Sequence, residues 1–119
     1  MSIETALKGI VEKKFNTSLI KTGEYDVMDF KGDDIFVEIK SRNVIKNAYP
    51  DTMIGLNKIL FAQQSLKKCI FIFSFKNGDF YWEFDKGLKL RQDINGRCDR
   101  GCNEYNEYCY IPVSILKEL

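Results

Sequence analysis

The chain has 119 residues, of which 45% are hydrophobic and 29% are charged, and its formal net charge is +1. A chain of this length can bury about two thirds of the surface that it exposes when unfolded, so we expect a single domain over residues 1–119. The sequence contains no histidine, which excludes histidine-based acid–base catalysis, histidine–metal sites and the Ser-His-Asp triad.

The location of the protein can also be predicted from its hydropathy. No apolar run approaches the roughly 18 residues that a membrane span needs, and Glu4 and Lys8 interrupt any apolar region of a signal peptide. We therefore expect an intracellular protein with no membrane association, whose four cysteines stay reduced.

The first predicted element is an amphipathic helix over residues 2–15, with Ser2 as its N-cap. Glu4 lies at the margin of the apolar stripe, whereas Glu12 points nearly opposite to it. Residues 18–21 then predict a short strand, and Gly23 interrupts the chain before the next element.

Two strands joined by a turn are predicted between Asp26 and Arg42. The apolar residues of the second strand recur with a period of two, which is typical of a strand with one buried face. Glu38 and Lys40 alternate with them, so a carboxylate and an amine emerge on one face, two residues apart.

The length of the turn decides which aspartate shares that face. If Gly32-Asp33 form a two-residue turn, Asp29 lies on the face of Glu38 and Lys40. If the loop instead comprises residues 31–33, the parity of the pairing changes and Asp26 falls directly opposite Glu38. The pattern leaves both registers open.

A second helix is predicted over residues 52–67, with Pro50 near its first turn. In this interpretation Gln63 lies within the apolar side and Lys58 points nearly opposite. The apolar run over residues 69–75 predicts a buried central strand, and Asn77-Gly78 predicts a hairpin to residues 80–84.

The rest of the chain gives weaker signals. Residues 88–106 are polar and contain Arg91, Arg97 and Arg100, which indicate either nucleic-acid contacts or a solvated loop. Residues 108–113 predict an edge strand interrupted by Pro112, and residues 114–119 a short helix or tail.

The charges on the second strand of the hairpin have two interpretations. Taken alone, Glu38 and Lys40 are typical of a solvated outer face. A sheet covered on both sides would instead require such charges to have a partner or a metal. Carboxylates from neighbouring strands can hold Mg²⁺, and a lysine beside them can steady a phosphate or an attacking water, so the set suits phosphodiester hydrolysis.

Asp26, followed after a turn by Glu38-Ile39-Lys40, resembles the PD-(D/E)xK nuclease superfamily, although Tyr25 replaces the proline that often precedes the aspartate. The resemblance covers residues 1–76 and implies a restriction-endonuclease-like α/β fold. Such a fold has a mixed central β-sheet flanked by helices in the order αβββαβ, here with an added C-terminal hairpin.

The resemblance also implies a Mg²⁺-dependent DNA endonuclease, with Mn²⁺ as a substitute. It favours the register that selects Asp26 over Asp29, so that Asp26 and Glu38 bind the metal and Lys40 completes the catalytic set. It makes Glu4 a candidate for completing the metal site.

For the second helix, the resemblance implies a Lys or Gln side chain directed toward the active site. It favours Gln63 as a side chain directed toward the site, while Lys58, Arg97 and Arg100 are candidate nucleic-acid contacts. Because no separate recognition domain fits in the chain, selectivity would come from loops, DNA shape or a homodimer.

Two other interpretations compete with catalysis. A non-catalytic nucleic-acid-binding or assembly module can have the same fold, because fold does not fix function. In the other interpretation, Glu38 and Lys40 form only a structural ion pair.

Overall fold

Two helices and nine strands make up the described part of the computed structural model, which covers residues 3–23, 26–96 and 105–119. Both helices and all nine strands follow in chain order: α1 (Ile3–Phe15), β1 (Ile20–Lys21), β2 (Phe30–Lys31), β3 (Ile35–Ser41), β4 (Asp51–Gly55), α2 (Leu56–Gln64), β5 (Lys68–Phe75), β6 (Gly78–Glu83), β7 (Arg91–Gly96), β8 (Tyr105–Pro112) and β9 (Lys117–Glu118). The predicted mixed α/β class is confirmed. No helix in these ranges is long and apolar enough to cross a membrane.

The main sheet has six strands in the order β1-β2-β3-β5-β6-β9. The pairing of β3 with β5 is parallel, and the other pairings are antiparallel, so the sheet is mixed. Residues 69–75 of β5 are all buried, which confirms the predicted central strand.

Both faces of the main sheet are covered. On one face, Leu7 and Val11 of α1 pack in a cluster with Val37 and Ile70. On the other face, α2 and part of a second sheet pack against the aromatic residues of β5. Charged side chains of β3 that point toward the second face therefore enter a covered region of the protein.

The second sheet was not predicted and has the order β4-β8-β7. Residues 51–55, expected to begin a helix, form a strand. Thr52 and Ile54 are buried, and they alternate with residues that are partly exposed. The expected edge strand near Pro112 is also wrong, because β8 is central and pairs with β4 and β7.

The register of the β2–β3 hairpin differs from both predicted registers. Phe30 pairs with Val37, and Gly32 N–H donates to the Ile35 carbonyl at 2.8 Å, so the two-residue turn is Asp33-Asp34. Asp29 directly precedes β2, and extending this register by one step would place it opposite Glu38. The expected pairing of Asp26 with Glu38 is therefore wrong.

Close packing, and not a turn, accounts for glycine at position 32. A Cβ atom there would lie 2.8 Å from side-chain atoms of both Ile35 and Thr17, a distance that any side chain would have to relieve. The glycine was therefore a misleading signal for the turn, which lies one residue further along the chain.

Candidate active site

Glu38 lies in the middle of β3, and its side chain is only 1% exposed. Its Oε2 atom lies 3.2 Å from Lys40 Nζ and 3.1 Å from Lys58 Nζ. Its Oε1 atom is buried and has no hydrogen-bond partner among the residues that the structure describes. A buried carboxylate oxygen without a partner is costly for a folded protein, which makes this atom a candidate to bind a ligand.

Lys58 reaches Glu38 from the first turn of α2. Its side chain is 18% exposed, and its ammonium group also donates to the main-chain carbonyl of Val27. The expectation that Lys58 points away from the apolar side of the helix is therefore wrong. Lys40, at 37% exposed, is the more accessible of the two lysines.

Of the two candidate aspartates, the structure brings Asp29 to Glu38. Asp29 Oδ2 accepts the N–H of Ile39 at 2.9 Å, which fixes the carboxylate beside β3. Asp26 is exposed, and its Oδ2 accepts the N–H of Gly23 at 2.6 Å. Asp26 thus closes a local turn, and its carboxylate is engaged outside the Glu38 cluster.

The electrostatic surroundings of Glu38 favour its protonated form. Burial raises the pKa of this carboxyl group, and the neighbouring charge of Asp29 raises it further, while Lys40 and Lys58 oppose both effects. A divalent cation beside Glu38 and Asp29 would stabilise the charged form of Glu38.

We predict that the metal-free protein loses stability as the pH rises through the raised pKa of Glu38. The folded state holds this proton more tightly than the unfolded state, in which the pKa is near 4.5. The stabilisation is therefore complete below that value and is lost as the pH rises through the pKa of the folded state. Urea unfolding in EDTA across the pH range should show this component in the wild type and not in Glu38→Gln. An unchanged pH dependence in the variant would show that Glu38 is not responsible.

Glu4 lies near this cluster but is engaged in an ion pair. Its Oε2 atom lies 2.6 Å from Lys21 Nζ, and both side chains are partly exposed. The pKa of Lys21 is raised mainly by its hydrogen bond to Glu4 and also by the charges of Asp29 and Glu38. The Glu4–Lys21 pair is therefore within electrostatic reach of the two carboxylates.

The remaining predicted residues do not join the cluster in the described structure. Gln63 is exposed, so its expected position within the apolar side of the helix is wrong. Arg97 and Arg100 lie outside the described residues, and their predicted contacts with nucleic acid stay predictions.

Glu38 and Asp29 are the candidate metal ligands of this cluster. Within residues 3–23, 26–96 and 105–119, no three or more Asp, Glu or Cys side chains converge on a metal-sized space. Mg²⁺ is usually held by only one or two carboxylates together with waters and substrate phosphates. The unpartnered oxygen of Glu38 and the nearby carboxylate of Asp29 supply that minimum.

Sequence reasoning missed Lys58 as a partner of Glu38. The predicted helix included Met53 and Leu66, which lie outside α2, and Leu60, which is exposed. Because these residues were counted as part of the apolar face, the face was predicted in the wrong direction. The buried residues of α2 are Ile59 and Ala62. The spacing of four residues between Lys58 and Ala62 was the signal that could have placed this lysine correctly.

Comparison with known proteins identifies one matching protein family. No curated protein matches the chain, and no solved structure does. One family model, with the description "Phage putative PDDEXK endonuclease", matches residues 1–119. The match covers the whole chain, including the segment with Asp29, Glu38 and Lys40. The chain therefore belongs to this PDDEXK endonuclease family and, with it, to the PD-(D/E)xK superfamily.

Proposed function

We propose that the protein is a metal-dependent endonuclease that hydrolyses phosphodiester bonds in DNA. The observation that carries the proposal is Oε1 of Glu38, a buried carboxylate oxygen with no described partner, in a cluster with Asp29 and Lys40. Family membership supports the same activity.

Glu38 and Asp29 would hold Mg²⁺, or Mn²⁺ in its place, and the main-chain carbonyl of Ile39 is a further candidate ligand. Oδ1 of Asp29 can serve an ion without breaking the bond between Oδ2 and Ile39 N–H. When bound, the cation supplies Lewis-acid polarisation of the phosphate and lowers the pKa of bound water.

The two lysines would have different tasks. Lys40 is the more exposed, so its ammonium group can leave Glu38 to orient the attacking water or contact the scissile phosphate. Lys58 is held between Glu38 and the carbonyl of Val27, so it fixes the carboxylate and adds positive potential. A phosphate contact by Lys58 is part of this proposal, as are contacts by Arg97 and Arg100.

The most direct test of the activity is a cleavage panel. Linear, branched and single-stranded DNA, with matched RNA, would be incubated with the protein in Mn²⁺ and in EDTA. We expect nicking of at least one DNA substrate in Mn²⁺ and none in EDTA. Binding without metal-dependent cleavage of any substrate would contradict the proposal.

We predict that Asp29→Asn lowers nicking by about 10²-fold, whereas Asp26→Asn leaves it within a few fold. The first change weakens the metal site while the amide oxygen can still accept the N–H of Ile39. The second can preserve the bond to Gly23 and lies outside the cluster. Nicking rates of both variants in saturating Mn²⁺ give the comparison. The reverse ranking would restore Asp26 as the metal ligand.

A non-catalytic module is the second candidate, and one observation favours it. Oε2 of Glu38 already faces two ammonium groups, so one of its two carboxylate oxygens is satisfied without a metal. In that case the cluster would serve stability alone, and neither Mn²⁺ nor the aspartate variants would change anything beyond folding. The cleavage panel and the aspartate comparison separate the two candidates.

A further inference from the structure

A cavity of about 440 Å³ opens at the carboxyl end of β3. Its lining includes Arg42, Tyr49, Thr52, Phe75 and Tyr110. This volume lies within the range of small-ligand pockets, which combine apolar and aromatic walls with a few polar groups. The cavity is separate from the Glu38 cluster.

Main-chain hydrogen bonds hold one wall of the cavity in place. The N–H of Arg42 donates to the Ser74 carbonyl at 2.8 Å, and the N–H of Lys76 donates to the Val44 carbonyl at 2.9 Å. The N–H of Lys46 donates to Asn77 Oδ1 at 2.9 Å. The segment after β3 is thereby tied to the β5–β6 hairpin, so the cavity is formed before any ligand arrives.

Three aromatic side chains, Tyr49, Phe75 and Tyr110, line the cavity. Tyr49 is 63% exposed, an unusual setting for a large ring in a small protein. Tyr110 is partly buried and already carries the Arg91 guanidinium 3.9 Å from its ring centroid, while Phe75 is buried. Flat aromatic walls with one exposed ring favour a flat ligand that stacks.

Arg42 adds a cation without a carboxylate partner. Its Nε donates to Thr52 Oγ1 at 3.1 Å, and another nitrogen donates to the Met53 carbonyl. No carboxylate within the described ranges forms an ion pair with it. Burial lowers the pKa of this guanidinium group, so a nearby anion would stabilise its charge.

The cavity also lies on the same side of β3 as the proposed catalytic groups. Glu38 and Lys40 share one face of β3, and Arg42, which follows the strand, lies with its guanidinium 5.8 Å from the ring centroid of Phe73 on that face. Two residues of extended chain span roughly 7 Å, so Lys40 and Arg42 can contact neighbouring phosphates of one strand. The opposite wall comes from β4, which leads directly into α2 and Lys58.

We propose that this cavity receives an unstacked nucleobase next to the scissile phosphate, with Tyr49 stacking on the base and Arg42 contacting the adjoining phosphate. The inference rests on the proposed nuclease function. A base can enter only after it leaves the duplex stack, which costs least where it is already unpaired. The preferred substrate is therefore DNA with an unpaired nucleotide beside the cleavage site.

Binding without cleavage tests this inference first. Fluorescence anisotropy in EDTA would compare a fully paired duplex with the same duplex carrying one unpaired 2-aminopurine. We expect about tenfold tighter binding of the second DNA and a change in 2-aminopurine fluorescence on binding. Tyr49→Ala should remove most of this preference while leaving affinity for the paired duplex unchanged, and Tyr49→Phe should retain it.

Leu66→Ala is the matched control, because Leu66 is a fully exposed apolar side chain that does not line the cavity. Equal binding of both DNAs by the wild type, or a full preference in Tyr49→Ala, would overturn the inference. Nicking in Mn²⁺ without a preference for the unpaired base would contradict base binding by the cavity and leave the proposed nuclease activity standing. A base preference without nicking would support the cavity and contradict the catalytic proposal alone.

Discussion

Lys40→Ala is expected to lower the rate of metal-dependent DNA nicking by at least about 10²-fold, with folding intact. A positioned lysine that orients water or stabilises charge on phosphate contributes on this scale. The side chain is 37% exposed, and Glu38 keeps Lys58 as a partner, so the fold loses little. Nicking assays in Mn²⁺, with circular dichroism of the variant, measure both effects.

Lys68→Ala is the matched control for Lys40. Lys68 lies on the neighbouring strand β5, is 48% exposed, and forms a longer ion pair with Glu83 at 3.8 Å. Its removal takes away the same charge and should change nicking by no more than a few fold. Equal losses in the two variants would indicate a general effect of charge on DNA binding, contrary to a specific role for Lys40.

The second large effect is expected from Glu38→Gln, which should abolish stabilisation of the protein by Mn²⁺. At 100 times the dissociation constant, a bound ion adds about 2.7 kcal/mol to the free energy of unfolding. The substitution would keep the size of the side chain but remove the charge that holds the ion. Urea unfolding in Mn²⁺ and in EDTA gives the two free energies for each protein.

In EDTA, the same variant should be at least as stable as the wild type at neutral pH. Burial and Asp29 disfavour the charged form of Glu38 more than the lysines favour it, and glutamine removes that cost. Such a gain is typical where function opposes stability. Glu83→Gln, at an exposed carboxylate, should leave the Mn²⁺ effect intact. A Mn²⁺ effect that survives in Glu38→Gln would place the ion elsewhere.

The period of the strand explains why part of the site could be predicted. Side chains two residues apart share a face whatever the rest of the fold does, and Lys40 Nζ indeed lies 3.2 Å from Glu38 Oε2. The choice of aspartate depended on the turn. Gly32 is closely packed, and the turn lies at Asp33-Asp34, a register that places Asp29 beside Glu38.

The second helix was predicted with the wrong face because its first residues belong to a strand. Strand β4 pairs with β8, which follows it in the sequence by about fifty residues. Local patterns contain no signal for such a distant partner, whereas tertiary pairing decides the conformation of a short segment. Without that pairing, the predicted helix began too early, and its expected apolar face excluded Lys58.

The central claim is that Glu38 and Asp29 hold a divalent cation, and calorimetric titration of Mn²⁺ into the metal-free wild type tests it most directly. We expect saturable binding that is lost in Glu38→Gln and weakened in Asp29→Asn, with Asp26→Asn unchanged. Absence of saturable binding to the wild type, or equal binding by Glu38→Gln, would contradict the claim.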